Sequence, residues 1–165
     1  MSRLKLVALL FLAACAAPSS HIAGFRSPKT EIYSSAAFDV SRVEGRWTQV
    51  AAFSAGDNPG CKPGGVEFRK GATGPEIAAQ LCLNGRIVQA QGPLRMVGPG
   101  RMAVPGMQDW WVIWVDSGYR TLAIGTPDGS FGFLLDREKI SGDRLHAAAE
   151  VFDFNGYSKA RFKAY

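Results

Sequence analysis

Histidine and cysteine are scarce in this 165-residue chain, two of the first and three of the second. His21 and His146 have no ligand-like partners at zinc spacing, so no metal centre is expected. No Gly-x-Ser-x-Gly elbow occurs, and Gly64-Gly65 and Gly98-Pro99-Gly100 lack the lysine and the strand-to-helix setting of a phosphate loop. Neither a catalytic residue nor a cofactor follows. No Lys/Arg cluster is interleaved with stacking aromatics, which sets nucleic acid aside as a partner. There is no repeat of fixed period. The apolar run near the start is too short to span a bilayer.

What is present is a chain cut into many short apolar runs. With 47% hydrophobic and 20% charged residues it fits one globular domain with a real core. Nineteen glycines and nine prolines, scattered between the runs, mark many turns between many strands, hence an all-β sandwich or barrel.

Residues 1–14 read as a secretory signal peptide: Arg3 and Lys5, then a short apolar run, then small residues. Leu12-Ala13-Ala14-Cys15 resembles the bacterial lipobox, which implies that Cys15 is acylated and becomes the new N-terminus. Acyl chains contribute about 0.8 kcal/mol per buried methylene, enough for several of them to hold the protein on a membrane. Ala16, rather than Asp, follows the cysteine, and by resemblance to enterobacterial sorting this favours the outer membrane, facing the periplasm. Removal of Arg3 and Lys5 lowers the formal charge from +5 to +3, mildly basic and compatible with anionic lipid. Residues 15–37, rich in Ser, Ala and Pro, read as a tether, with Phe25, Ile32 and Tyr33 able to pack locally. The folded domain is expected over 38–165.

That domain opens with Phe38-Asp39-Val40-Ser41-Arg42-Val43-Glu44-Gly45-Arg46-Trp47, a turn that runs into a strand. Strict alternation from Trp47 places Trp47, Gln49, Ala51 and Phe53 on one face. Gly45 allows a backbone angle other residues resist. Gly45-x-Trp47 resembles the opening motif of the lipocalins, in which the tryptophan plugs the closed end of an eight-stranded barrel.

Loop residues 54–60 separate this strand, 46–54, from expected strands at 61–69 and 76–84. A hairpin centred between Gly71 and Ala72 puts Cys61 opposite Cys82; a centre half a residue later slips Cys61 to face residue 83. Either register leaves a disulfide within reach. Secretion and acylation of Cys15 leave these two as an even pair in an oxidising compartment, and bacterial lipocalin relatives often carry cysteines on these strands. The alternative is a nucleophilic Cys61, as in isomerase-like lipocalins, but no base or cation is placed by sequence to activate it.

Further strands are expected over 86–97, with Gly92-Pro93 as a bulge or edge, and over 101–104. Asp109 to Gly125 holds two apolar strands around an Asp-Ser-Gly turn. It resembles the second lipocalin motif, with Asp116 and Tyr119 in its Asp-x-x-Tyr places. Both faces of the first strand are apolar, so it needs a cover outside; parity leaves open which face points inward. The strand 131–137 matches the place where lipocalins set an arginine across the Gly-x-Trp ring, and the resemblance implies that Arg137 closes the barrel against Trp47. Phe133 stands where bacterial lipocalins have a tryptophan, and Asp136-Arg137-Glu138-Lys139 replaces Ser-Arg-Thr-Pro. Ser141 is a plausible N-cap for a helix through Phe152, with Leu145, Ala148, Ala149 and Phe152 on one face. A last strand, 158–164, would line up Lys159, Arg161 and Lys163.

The resemblance implies an eight-stranded antiparallel up-and-down barrel with one C-terminal α-helix packed outside and a short final strand. It implies a membrane-anchored carrier of a small hydrophobic molecule, a fatty acid or lysophospholipid, bound against Gln49, Ala51, Phe53, Phe133 and Leu135. The rival is an envelope interaction lipoprotein with a filled barrel.

Overall fold

The computed structural model describes residues 24–165. The leader, Cys15 and His21 lie outside the described residues. A 3-10 turn, Val40–Arg42, is capped by the Asp39 side chain, which accepts from the Ser41 amide. It leads into β1 (Gly45–Phe53). Then follow β2 (Gly65–Lys70), β3 (Pro75–Leu83), β4 (Arg86–Pro93), β5 (Arg95–Gly98), β6 (Arg101–Ala103), β7 (Trp110–Val115), β8 (Thr121–Gly125) and β9 (Gly132–Asp136). The helix α1 (Gly142–Phe154), a 3-10 turn (Lys159–Arg161) and β10 (Phe162–Ala164) complete the chain.

All strands belong to one antiparallel sheet in the order β4-β3-β2-β1-β9-β8-β7-β6-β5, with β10 on the far half of β1. The two end strands, β4 and β5, are separated only by Leu94. The sheet therefore curls until its ends are one continuous piece of chain. This accounts for a count of ten strands among the described residues where eight and a short final one are expected. The segment 86–97 breaks after Pro93, which has no N–H for a ladder, and its halves pair with β3 and β6. The final strand is also shorter than expected, because residues 159–161 coil first.

Turn chemistry sets one register directly. Asn84 and Gly85 both have positive φ, 53° and 72°, the two-residue hairpin that Asn-Gly favours between β3 and β4. The β2–β3 register differs from expectation: Gly65 pairs with Gln80 and Lys70 with Pro75. Cys61 thus lies before β2 and not on it. It still reaches Cys82, with Cα atoms 5.7 Å apart in a disulfide, because the loop 54–64 folds back over β3.

Two bulges decide which side chains face inward. In β1 the register with β9 shifts between Gln49 and Ala51, and in β7 the register with β8 shifts between Val112 and Trp114. Each extra residue inverts the alternation beyond it. The interior cluster accordingly holds Trp47 and Ala52 from β1, and Trp110 and Val112 from β7, with Leu122, Ile124, Phe133 and Leu135. Ala51, Phe53, Ile113, Ala123 and Leu134 point outward, where Ala148, Phe152 and Tyr157 cover them. Trp111 and Trp114 pack on this outer cluster. So β7 is apolar on both faces because one side lines the barrel and the other meets the helix.

The helix is capped by Ser141, which accepts from the Arg144 amide. It covers the sheet with Ala148 and Phe152, helped by Leu145 and Val151. Beneath its first turn Arg144 reaches the buried carboxylate of Asp136, 3.2 Å away, which also accepts from Thr121 Oγ1 and the Glu138 amide. Residues 24–37 run along the outside of the barrel and are not free chain. Phe25 bonds Gly129 and Ser158 through its backbone and packs its ring, tilted, against Phe53, and the Tyr33 and Ser35 amides are held by Asn155 and Val112. Any free tether therefore ends before Gly24.

Candidate functional site

At the closed end the chain must turn sharply into β1, and Gly45 takes φ +108° to do so. A Cβ there would stand 3.1 Å from Arg137 Nη1. The bare glycine leaves room for the guanidinium, whose carbon lies 4.3 Å from the Trp47 ring centre, a cation–π distance. The Trp47 N–H donates to the Val43 carbonyl at 2.7 Å. Arg137 donates in turn to the carbonyls of Tyr119 and Arg42, each at 3.0 Å. Burial pulls its pKa below the usual arginine value.

A second cation–π pair stands beside the first: the Arg42 guanidinium lies 3.8 Å over the Tyr119 ring. Arg42 lies in the opening turn, and nothing in its sequence setting marks this role. Tyr119 is left-handed (φ 52°), donates from its hydroxyl to Ala37 and accepts from the Asp39 amide. Asp116 accepts from the amides of Gly118, Arg120 and Thr121 and from the Arg120 guanidinium. Burial pushes its pKa up, but these donors outweigh it and hold the carboxyl below its usual value. The sequence motif residues Gly45, Trp47, Asp116, Tyr119 and Arg137 thus meet in one plug.

Above the plug the barrel is filled. Leu81, Met102, Trp110, Val112, Leu122, Ile124, Phe133 and Leu135 all have 0% exposure, so no water-sized space touches them. Phe133 and Leu135 face inward as the strand parity implies, and Phe133 packs edge-on against Trp110 at 5.0 Å. They form a packed floor. The open space lies higher, a cavity of about 740 Å³ at the mouth. Leu83, Val88, Met107 and Phe131 supply its apolar walls, and Arg86 and Arg161 stand among its lining residues. None of these was singled out as ligand-binding from the sequence, because they come from four different strands and loops.

Three residues expected in the binding wall are placed otherwise. Ala51 and Phe53 lie beneath the helix, since the bulge at Val50 turns them outward. Gln49 is buried with its carboxamide fully engaged: it donates to the Cys82 carbonyl and accepts from the Cys82 and Gly64 amides. It takes the place of a ladder partner where β2 has not yet begun and Pro63 has no N–H to offer. The bridge to Cys82 removes the Cys61 thiol from nucleophilic chemistry. The basic row of the final segment is not a row, for Lys159 pairs with Glu150 and Arg161 donates to Ala55. Among the described residues no group of His, Cys, Asp and Glu could hold a metal ion, and no helix is long and apolar enough to cross a membrane.

No family model matches the chain, and no curated protein matches it. Solved structures do. Insecticyanin from the tobacco hornworm Manduca sexta aligns with a TM-score of 0.58 at 15% identity, over 81% of this chain and 83% of its own. The major allergen Per a 4 from cockroaches aligns with a TM-score of 0.58 at 11% identity, over 84% and 94%. Apocrustacyanin C2 aligns with a TM-score of 0.54 at 12% identity, over 82% and 88%. At these identities the likeness is one of architecture, and the architecture of this chain is the lipocalin fold.

Proposed function

We propose that this protein is a lipid-anchored carrier of the bacterial outer membrane that binds a small hydrophobic molecule, a fatty acid or lysophospholipid, at the mouth of its barrel. The observation that carries this reading is the mouth cavity itself, walled by Leu83, Val88, Met107 and Phe131 and wide enough for a small ligand. The lipobox resemblance at Cys15 supports the anchor. Gly24 and Phe25 line the same mouth, and the nine peptide steps from Cys15 to Gly24 reach at most about 30 Å. An anchor at Cys15 would hold the mouth close to the lipid surface, where such a ligand is found.

The packed interior favours a second reading, an envelope interaction lipoprotein whose barrel stays filled. One set of measurements separates the two. A fluorescent fatty acid should bind the purified protein, and Met107→Asp, on a half-exposed wall, should weaken it by about tenfold or more with an unchanged circular dichroism spectrum. Absence of binding, or equal binding by the variant, favours the filled-barrel reading. Metabolic labelling with an alkyne palmitate should mark the wild type and not Cys15→Ser; label retained in the variant removes the anchor.

A further inference from the structure

We propose that the mouth selects amphiphiles with an anionic head group, a carboxylate or a phosphate, held by Arg86 and Arg161 above the apolar walls. The proposal rests on the mouth-cavity reading and adds charge selection to it.

Arg86 follows the Asn84-Gly85 turn and pairs with Leu83 across the hairpin. Opposed residues share a face, and Leu83 belongs to the interior cluster. Arg86 therefore stands on the inner face of β4, in line with Val88 and Ala90 below it. A strand that runs from alanine to valine to arginine along its inward side places a cation where the wall meets water. Arg161 comes from the 3-10 turn that precedes β10. Its carbonyl accepts from the Ser54 amide, its amide donates to Ser158, and its Nη1 donates to Ala55 at 3.2 Å. That leaves the guanidinium positioned at the rim with donors unused.

Eight of the other nine arginines among the described residues make a contrast; the ninth, Arg95 on β5, is also without a salt bridge but does not line the cavity. Arg46, Arg69, Arg120 and Arg144 have carboxylate partners, and Arg26, Arg42, Arg101 and Arg137 are spent on carbonyls or aromatic rings. Among the described residues no salt bridge involves Arg86 or Arg161, and no carboxylate is among the residues that line the cavity. The arrangement is an apolar pocket topped by two planar donor groups without a counter-charge. Guanidinium matches carboxylate and phosphate oxygens with paired hydrogen bonds, and repels an ammonium head. A neutral head gains neither effect.

The test holds the chain constant and varies the head. Dodecanoate, dodecyl phosphate, monododecanoylglycerol and dodecyltrimethylammonium are titrated calorimetrically into the purified, disulfide-intact protein, below their micellar concentrations. At least one anionic probe should bind fivefold or more tighter than the neutral one, and the cationic probe should bind weakest. The preference should shrink at high salt, because rim charges are screened. Arg86→Gln and Arg161→Gln should each cost the anionic probe roughly threefold, and the double variant should erase the preference, its affinities for the anionic and neutral probes becoming equal. Binding of only one anion supports the proposal and identifies the head group. Equal binding of neutral and anionic probes, or a preference that survives in the double variant, overturns charge selection and leaves the cavity reading standing. Failure of all four probes to bind overturns both.

Discussion

The closed end and the mouth of this barrel are built on opposite terms. At the closed end Trp47 pairs with Arg137 and Tyr119 with Arg42, while the Asp116 carboxylate is held by Gly118, Arg120 and Thr121, so each indole, phenol, guanidinium and carboxylate meets a partner within the protein. At the mouth, two guanidinium groups and four apolar side chains face a cavity. The loop over it, 55–64, has no buried residue, and a covalent bond from Cys61 to Cys82 ties it down. One end gains stability from side-chain packing. The other keeps its surface available and is held by a staple.

This contrast breaks most visibly under truncation. Trp47→Ala should destabilise the protein by about 3–5 kcal/mol, since it empties the plug and strands Arg137. Met107→Ala should cost about 1 kcal/mol or less, because a half-exposed side chain already has water as a neighbour. Urea denaturation of the two variants measures the gap, and equal losses would erase the distinction between the ends. The staple comes next. Cys61→Ser with Cys82→Ser should cost about 2–4 kcal/mol, with hydrogen exchange rising in 54–64 while the closed-end amides keep their protection. Cysteines that alkylate in the unreduced wild type would show that the mouth needs no such tie.

The smallest effect is a pH dependence confined to the closed end. The folded-state pKa of Asp116 is depressed, so its contribution is fully present above the ordinary value of 3.8 and is lost as the pH falls through the lower folded value. Thermal unfolding should show a steeper loss of Tm below that pH in the wild type than in Asp116→Asn. An identical slope in both would mean that the turn hydrogen bonds carry no net stabilisation.

The plug was readable from the chain because its parts are local motifs. Gly45 two residues before Trp47 and Asp116 three before Tyr119 announce their places through a turn and a short strand, whereas the place of Arg137 against Trp47 came from the resemblance to the lipocalins. The disulfide pairing was also readable, although by a register that the sheet does not use: proximity of the two segments tolerated an error of two residues. The binding wall was not readable. Alternation carries a face assignment along a strand only while the ladder is unbroken, and the bulges at Val50 and Ile113 have no glycine or proline to announce them. That is why Ala51 and Phe53, expected inside, lie under α1. Residues 24–37 looked like linker by composition, yet Phe25, Ile32 and a set of backbone bonds seat them on the barrel.

By itself the sequence determined where strands form, where they turn and how the helix is capped. These follow from interactions among residues close in the chain, from period, turn chemistry and side-chain type. The tertiary structure alone decided which face is inside, that the interior is filled and that the free space lies at the mouth. Those depend on how the curled sheet brings distant segments together, so that Leu83, Met107 and Phe131 share one cavity and Gln49 completes a ladder two strands away. Local sequence carries no energy term for contacts that exist only after closure.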